Sequence, residues 1–495
     1  MASKNQPAAG DETSAICQEE DPELMKLPVK PIPGDYGMPV IGAIKDRLDF
    51  YYFQGQDKFF QARVDKYKST VVRLNMPPGP IMASNPRVIA LLDAKSFPVL
   101  FDVSKVEKKD VFTGTYMPST SLTGGYRVCS YLDPSEANHT KIKQLLFTML
   151  ASRKDQVIPT FRTNFSSLFA TMESQIASSG KSDFNALNDV TSFDFIGDAY
   201  FGVRPSDNSS LGSSGTSKAA KWLFFQLCPL MTLGLPMAVE ELLLHTFPLP
   251  SFLIKSDYKK LYDYFNAAAA SALDTAQKLG LSREEACHNL IFATVFNSYG
   301  GLKVLFPGIL SCLATADPKF HNRLAQEIRS AVAADGGKLT FSAIQKMELT
   351  NSVVYEALRL DPPVKFQYGH AKKDLIIGSH DASYVVKKGE MLFGYQPCAT
   401  KDPKVFSNAD KFVGDRFLGD EGKKLLKYVV WSNGPETETP TVNNKQCPGK
   451  DFVVLVGRLL VAEFFLRYDT FTGEVGKELL GAKVTVTSLT KASAM

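Results

Sequence analysis

The sequence predicts a mainly α-helical protein with small β-sheets, and three observations support this fold class. Long segments with helical periodicity lie at residues 137–151, 282–310 and 341–360. Short strand-like runs separated by turn signals cluster at residues 374–396. A single cysteine, Cys447, stands just before the apolar, helix-like run that begins at Phe452. With 495 residues, of which 44% are hydrophobic and 22% charged, the chain can bury a large core.

The N-terminal part of the chain predicts a short leader followed by one folded domain. Residues 1–26 are polar and acidic, which predicts a flexible leader, and residues 27–495 are interpreted as a single domain. The leader has neither the apolar core of a signal peptide nor the Arg- and Ser-rich composition of a transit peptide. We therefore expect a cytoplasmic protein and find no support here for a plastid location. Strands are predicted at residues 69–75 and 79–84, and a helix at Pro86–Ala94.

Charge and cysteine content exclude several classes of function. The formal net charge is only +4, which argues against electrostatic binding of nucleic acid. The seven cysteines are scattered singly, without a CxxC pair, which argues against a zinc site and against a disulfide framework. The most apolar segment, Trp222–Leu244, is interrupted by Pro229 and Pro236 and by adjacent glutamates. It fits a core helix pair or an apolar surface that dips into lipid, so peripheral attachment to a lipid surface is compatible with it.

Cys447 is the first candidate functional residue. A thiolate at a loop-to-helix junction is stabilised by the helix N-terminus and by nearby backbone N–H groups. Such a thiolate can bind haem iron. An isolated cysteine is more often a buried structural thiol, so the interpretation depends on the rest of the chain.

Two helical segments carry further candidates, each with a structural alternative. Asn297 precedes the adjacent glycines Gly300 and Gly301, which indicate close approach of another group to the backbone. That group is either a crossing helix or a flat cofactor towards which Asn297 points. His139 and Lys143 lie four residues apart on one helix face and form either a solvated basic face or cationic donors for an anionic cofactor group.

The order of these motifs resembles the cytochrome P450 family over essentially the whole chain. Glu356 and Arg359 match its ExxR pair, Arg416 matches the arginine of the following loop, and Cys447 matches the axial thiolate. The resemblance implies a triangular prism of helices with haem b between the long central helix and the cysteine loop. It also implies that Glu356, Arg359 and Arg416 form a buried, fully paired ion network that braces this loop.

Two departures from the general P450 pattern narrow the resemblance. The loop before Cys447 is expanded to GPETETPTVNNKQCPG, and the acid–threonine pair of the oxygen-activating enzymes is replaced by Ala293–Ser298. Both features resemble the plant P450 branch that rearranges fatty-acid hydroperoxides. Phe112 occupies the position where allene oxide synthases of this branch carry Phe and hydroperoxide lyases usually carry Leu.

The resemblance implies an allene oxide synthase that converts a fatty-acid hydroperoxide, such as 13-hydroperoxy-linolenic acid, to an allene oxide and water without dioxygen, NADPH or a redox partner. Alternatives are a hydroperoxide lyase or divinyl ether synthase, a monooxygenase with a reductase, and a structural haem protein of lipid particles. Asn297 and Phe112 are the predicted catalytic residues beside the iron ligand Cys447, and both are expected to contact substrate. Lys303 is a candidate for the substrate carboxylate, with an ordinary solvated lysine as the alternative, and Lys365 lies near the expected channel. The predicted partners of the haem propionates are Lys108, His139, Lys143 and Lys445.

Overall fold

A computed structural model describes residues 26–112 and 114–492, and its residues group into two compact units. The predicted leader lies outside the described residues, apart from Lys26. The prediction of one folded domain stays a prediction. The first unit comprises the chain up to Met117, Gly234–Pro248 and Val364–Ser407, and the second comprises Pro118–Leu233, Leu249–Pro363 and the chain from Asn408.

The described helices outnumber the strands, which confirms the predicted fold class of a mainly α protein with small sheets. In chain order the α-helices are α1 Ile41–Leu48, α2 Gln56–Tyr67, α3 Ala137–Ser152, α4 Val157–Ser179, α5 Phe184–Phe201, α6 Gly215–Leu227, α7 Met237–Glu240, α8 Lys255–Ala268, α9 Ala270–Lys278, α10 Arg283–Ile291, α11 Gly300–Ala314, α12 Pro318–Ala333, α13 Phe341–Gln345, α14 Glu348–Leu360, α15 Gln396–Thr400, α16 Gly419–Lys424 and α17 Lys450–Arg467.

The strands form three sheets. In chain order they are β1 Val71–Asn75, β2 Arg87–Leu91, β3 Val106–Glu107, β4 Ser182–Asp183, β5 Phe366–Ala371, β6 Leu375–Gly378, β7 Ser383–Val386, β8 Met391–Tyr395, β9 Tyr468–Lys477 and β10 Ala482–Lys491. The first unit holds a five-stranded sheet of order β1-β2-β8-β5-β3 and the hairpin β6–β7. The second unit holds the sheet β4-β10-β9.

The segment from residue 79 to 94 differs from the prediction. Residues 79–84 form a turn and not a strand, and Arg87–Leu91 forms strand β2 where a helix was expected. The reason is tertiary: Ile89 pairs in parallel register with Leu392 of β8, about 300 residues later, and the strand is buried on both faces. In a short run of apolar residues, the hydrophobic pattern does not distinguish a buried helix from a buried strand.

Aromatic residues of the first unit pack against this sheet and form its core. Phe60 of α2 stacks on Tyr395 of β8 with ring centroids 4.5 Å apart, and Phe59 meets Phe60 edge to face at 5.2 Å. Phe50 completes the cluster against both rings. Such aromatic pairs contribute about 0.5–1.5 kcal/mol each beyond the burial of their area. Helix α2 and the π-helical turn Asp49–Phe53, which carries Phe50, are therefore docked on the sheet.

The central helix of the second unit runs without interruption from α10 through a π-helical segment, Phe292–Tyr299, into α11. Its start is confirmed, because the Ser282 hydroxyl accepts a hydrogen bond from the Glu285 backbone N–H at 3.0 Å. Pro307 lies inside α11, which continues to Ala314. The stretch Arg283–Ala314 is long and apolar enough to cross a membrane, but 67% of its most apolar window is buried inside the protein, as expected for a core helix.

Helix α17, which follows Cys447, packs closely on α14. A Cβ atom on Gly457 of α17 would lie 3.0 Å from a methyl group of Val354 on α14, so a larger residue here would require the Val354 side chain to shift. Because α14 also carries Glu356 and Arg359, the packing fixes the ExxR helix against the helix of the cysteine loop.

Candidate active site

Cys447 lies half-buried in the turn that leads into α17. Its backbone N–H donates to the Trp431 carbonyl at 3.4 Å, which ties the cysteine to the start of the expanded loop. Burial raises the pKa of the Cys447 thiol, while a hydrogen bond from the Gly449 backbone and the charge of Lys143 lower it. The two lowering contributions are those expected for a thiolate site, and a bound cation would reinforce them.

The expanded loop is held by Glu436, a residue that the sequence analysis missed. Its carboxylate accepts hydrogen bonds from the Tyr355 hydroxyl at 2.9 Å, from the Lys450 ammonium at 3.2 Å and from the Trp431 indole. Tyr355 belongs to α14 and Lys450 opens α17, so this one carboxylate joins the loop to both helices. Nothing in the local sequence distinguished Glu436 from the neighbouring Glu438.

Gln446 closes the same loop from its other end. The side chain is buried, and its amide donates to the Pro435 carbonyl at 2.6 Å. Gly434 lies against that side chain, where a Cβ atom would come within 2.8 Å of the amide carbon. The residues before Cys447 therefore form a tightly packed support for the sulfur.

The predicted triad of Glu356, Arg359 and Arg416 assembles as an ion network. Arg359 binds Glu356 through two nitrogens at 2.7 and 2.8 Å, and the Arg416 Nε lies 2.9 and 3.0 Å from the two carboxylate oxygens. Both Glu356 and Arg359 are fully buried. The Val413 N–H also donates to Glu356, and Arg359 donates to the Ala409 carbonyl. The network thus braces the chain from residue 409 to 416.

Three of the predicted propionate partners, His139, Lys143 and Lys445, lie together near Cys447. We call these three residues the cationic cluster. The Lys445 ammonium donates to the carbonyls of Cys129, Ser130 and Leu132 at 2.8–3.2 Å, which uses all of its three N–H groups. Lys143 donates to the backbone and side-chain oxygens of Asn444 at 2.5 and 3.0 Å. His139 is buried, and its Nδ1 has no hydrogen-bond partner within the described chain.

The charges of the cationic cluster are only partly compensated by the protein: burial lowers the pKa of Lys445, and the charges of Cys129, Asp133 and Glu136 offset this in part. Burial, followed by the nearby charges of Lys445 and Lys143, lowers the pKa of His139 to about 3. Burial is also the main cause that lowers the pKa of Lys143 to about 8, and Lys445 adds to this effect. An anionic group beside Lys143 and His139 would relieve both penalties.

Asn297 lies in the π-helical segment and is exposed, although most of the residues before it on this helix are buried. π-Helical segments are rare and frequent at functional sites. The next residue, Ser298, donates to the Ala293 carbonyl at 2.9 Å, so its only proton is used. The Tyr200 hydroxyl, 3.0 Å away, must then donate to Ser298. This chain of hydrogen bonds fixes the turn that carries Asn297.

Tyr200 also connects this turn to the cysteine region. Burial raises the pKa of the Tyr200 hydroxyl, its hydrogen bond with Ser298 lowers it, and the negative charge of Cys447 raises it again. The Tyr200 ring lies 5.2 Å from the ring of Phe452 on α17. The second unit therefore places Asn297, Tyr200 and Cys447 in one region.

The remaining predicted residues are placed as follows. Lys303 forms an ion pair with Asp189 of α5, to which the Tyr299 hydroxyl also donates at 2.5 Å, so its contact with a substrate carboxylate stays a prediction. Lys108, Phe112 and Lys365 belong to the first unit. Lys108 is buried, and Phe112 is half-buried. Their predicted roles stay predictions.

The residues of this region fit a haem. A haem carries an iron that a thiolate can bind and two carboxylates that cations can hold, and the second unit offers Cys447 beside a partly compensated cationic cluster in which one His139 nitrogen has no hydrogen-bond partner in the described chain. Fold and site together define a haem-thiolate protein of the cytochrome P450 class.

Comparison with known proteins supports this class and narrows it. The family model for cytochrome P450 matches residues 306–478. Allene oxide synthase 2 of Oryza sativa subsp. japonica is 70% identical over 469 residues, which cover 94% of this chain and 97% of the relative. Allene oxide synthase 1, chloroplastic, of Solanum lycopersicum is 58% identical, with coverages of 94% and 88%. Allene oxide synthase, chloroplastic, of Arabidopsis thaliana is 56% identical, with coverages of 98% and 94%. The chain belongs to the allene oxide synthase family of cytochromes P450.

The predicted location is wrong. We expected a cytoplasmic protein without support for a plastid, but the relatives from Solanum lycopersicum, Arabidopsis thaliana and Linum usitatissimum are named chloroplastic at 56–58% identity. These names point to a plastid location. The composition of the first residues was therefore a misleading guide.

Proposed function

We propose that this chain is a hydroperoxide dehydratase that converts a fatty-acid hydroperoxide to an allene oxide and water. The observation that carries this function is the identity of 70% to a curated allene oxide synthase over almost the full length of both chains. The reaction removes water from one molecule, so it balances without dioxygen, NADPH or a reductase. This agrees with a central helix that has no carboxylate in its π-helical segment, Phe292–Tyr299.

The residues of the chain have distinct tasks in this reaction. The haem, when bound to the Cys447 thiolate, supplies the one-electron chemistry that cleaves an O–O bond. Asn297 orients the peroxide oxygens by hydrogen bonds from its amide group, which can both donate and accept. The Tyr200–Ser298 pair keeps Asn297 in place. His139 and Lys143 hold the haem carboxylates by charge-assisted hydrogen bonds.

Phe112 decides the fate of the substrate radical in this proposal. Its π face would stabilise a developing cation on the adjacent carbon, which favours loss of an electron, for which the bound haem would be the acceptor, followed by loss of a proton to give the allene oxide. An aliphatic residue lacks this interaction, and the radical then fragments at a C–C bond. Phe112→Leu is expected to divert product towards six-carbon aldehydes, while Phe101→Leu, at another half-buried phenylalanine of the first unit, serves as the control.

Incubation of the purified haem protein with 13-hydroperoxy-linolenic acid, without NADPH, tests the function directly. Ketols and the cyclopentenone derived from an allene oxide are the expected products. Six-carbon aldehydes or a divinyl ether would instead assign the chain to another reaction of the same fold. The absence of any turnover would favour a structural role of the haem protein.

We further propose that the first unit associates with a lipid surface. In Met237–Phe247 the acidic side chains point inward and most apolar ones, apart from the buried Leu244, point outward: Glu240 is buried, whereas Leu242 is 58% and Phe247 53% exposed. The Arg47 guanidinium of α1 binds Glu241 at 2.6 Å, and Tyr51 stacks on the buried His245 at 4.1 Å. This inverted segment is thus held rigidly with its apolar side in solvent, and large exposed apolar patches mark interaction sites.

Flotation with phosphatidylcholine–phosphatidylglycerol vesicles tests the association with lipid. The double variant Leu242→Glu, Leu243→Glu is expected to lose vesicle binding, because charged groups are costly in lipid. Leu479→Glu, at a similarly exposed leucine of the second unit, is the matched control and is expected to bind as the wild type. Equal binding of the double variant and the control would contradict this proposal.

A further inference from the structure

A cavity of about 660 Å³ lies in the first unit between the start of α1 and the turn that joins β1 to β2. Its volume falls within the range of about 300–1,000 Å³ that is typical of small-molecule sites. The apolar part of its wall consists mainly of Met38, Val40, Ala43, Pro80 and Ile81. The reaction at Cys447 does not use any of these residues.

The apolar wall of this cavity is open to solvent to an unusual degree. Met38 is 64% and Ile81 70% exposed, and Val40 is exposed to a similar extent. The free energy falls when a ligand removes apolar side chains around a concave surface from water. The expected ligand therefore has a substantial apolar part.

Two residues of the wall also have a backbone conformation that their side chains disfavour. Val40 has φ +67° and Ile81 has φ +80°, and they are the β-branched residues among the non-glycine residues of positive φ in the described chain. Such conformations are genuine outliers for β-branched side chains. They persist where the surrounding structure requires them, and they cluster at ligand clamps. Both outliers line the same cavity.

The polar end of the cavity is marked by Arg87, the first residue of β2. Its guanidinium lies 5.4 Å from the centre of the Tyr36 ring, and it has no carboxylate partner within residues 26–112 and 114–492. By contrast, Arg73 on the adjacent strand is paired with Glu390 at 2.8 Å. An exposed guanidinium beside an apolar wall offers the bidentate geometry that carboxylates prefer.

We propose that this cavity is a second ligand site, which binds a free long-chain fatty acid with its carboxylate on Arg87 and its acyl chain along Met38, Val40 and Ile81. This choice of ligand rests on the proposed function in one respect: the substrate of that reaction is a long-chain carboxylate, and the ligand proposed here belongs to the same chemical class. The site would hold substrate or an unoxidised fatty acid close to the exposed apolar residues of the first unit.

Titration of the ferric holoenzyme with oleic acid below its micellar concentration tests this site. Calorimetry is expected to detect two sites for each chain, of which one shifts the Soret band of the haem and the other leaves it unchanged. Arg87→Gln is expected to weaken the spectroscopically silent site by about tenfold, as one charge-assisted hydrogen-bonded pair predicts. Ser84→Trp, which fills the cavity from its lining, is expected to abolish that site.

Two controls make the result decisive. Lys423→Gln removes an exposed cation elsewhere and is expected to retain both sites. Binding to phosphatidylglycerol vesicles is expected to be unchanged in Arg87→Gln, and a loss of vesicle binding with unchanged oleate binding would assign Arg87 to a lipid headgroup and overturn the proposal. A single site in the wild type, a silent site that Ser84→Trp retains, or an unchanged affinity of the silent site in Arg87→Gln would also overturn it. Failure of the proposed function has another signature, namely the absence of allene oxide products from the hydroperoxide.

Discussion

The second unit contains two groups of buried charges, and they are stabilised in opposite ways. In the triad, the carboxylate of Glu356 lies between Arg359 and Arg416, and backbone groups satisfy further hydrogen bonds. In the cationic cluster, Lys143 and Lys445 are both cations, and the acceptors in contact with their ammonium groups are neutral oxygens. The triad thus contains a carboxylate in direct contact with its cations, whereas in the described residues no carboxylate contacts the ammonium groups of the cationic cluster.

This difference indicates that the buried charges of the triad stabilise the fold, whereas those of the cationic cluster bind a ligand. A complete network is strongly destabilised when one partner is lost, because an uncompensated charge remains buried. An incomplete network destabilises the ligand-free protein, because its cations are buried without an anion in contact. Binding of an anionic ligand removes this destabilisation. Removal of one charge should therefore lower the free energy of unfolding in the triad and raise that of the ligand-free protein in the cationic cluster.

The largest effect is expected for Glu356→Gln. This change leaves Arg359 and Arg416 buried without a carboxylate, and it should lower the free energy of unfolding by about 3–5 kcal/mol. Guanidinium denaturation of the holoenzyme measures it. Glu421→Gln breaks an exposed ion pair with Lys424 and is the control, with an expected change below about 0.5 kcal/mol.

The variant at Glu356 can also fail to accumulate. In that case the simultaneous replacement of all three residues of the triad by methionine is informative, because apolar residues of similar volume often replace a buried ion network without loss of stability. Recovery of soluble protein in the triple variant supports the electrostatic explanation. Unchanged stability of Glu356→Gln would refute the view that the triad is a complete and necessary network.

The second effect concerns Lys143→Met, which removes one charge from the cationic cluster. The apoprotein should gain stability, on the order of 1 kcal/mol, because a buried cation without a carboxylate partner is lost. The haem should dissociate about 10–100 times faster, because a charge-assisted hydrogen bond contributes about 1.5–3 kcal/mol. Denaturation of the apoprotein and transfer of haem to an acceptor protein measure the two quantities.

Lys141→Met provides the matched control for this experiment. Lys141 lies on the same helix, α3, but its ammonium is exposed and donates to the Gly280 carbonyl at 3.2 Å. Neither stability nor haem retention should change. If Lys143→Met destabilises the apoprotein and leaves haem dissociation unchanged, Lys143 belongs to the structural kind of buried charge and not to the binding kind.

The sequence predicted those parts of the site that depend on local spacing. Glu356 and Arg359 are one helical turn apart, and Cys447 precedes a helix, so both features are visible within a few residues. The role of Glu436 was invisible, because its partner Tyr355 is 81 residues away. The ion pair of Lys303 spans 114 residues, and strand β2 depends on pairing with β8. Contacts between distant segments decide these features, and no local pattern encodes them.

Tyr200→Phe should have a smaller effect than the loss of a charge. The change removes one neutral hydrogen bond to Ser298, which contributes about 1 kcal/mol and corresponds to roughly a fivefold decrease in kcat. KM should stay unchanged, and the Soret band should shift, because Tyr200 lies near Cys447. Tyr264→Phe removes an equally buried hydroxyl, which donates to the Val203 carbonyl at 2.7 Å. This control should lose stability to the same extent but retain kcat and spectrum.

The smallest effect is expected for His288, a buried imidazole that is neutral in the folded protein at neutral pH. Burial lowers its pKa to about 4, and the Tyr258 hydroxyl lies 2.7 Å from its Nδ1. In the unfolded chain its pKa is about 6.5. Because the unfolded state binds the proton first, the contribution of neutral His288 to stability is complete above pH 6.5 and is lost as the pH falls towards 4. The difference in melting temperature between wild type and His288→Phe should therefore narrow between pH 7.5 and pH 5. A constant difference for His288→Phe over this range would show that the neutral state of His288 is unrelated to stability.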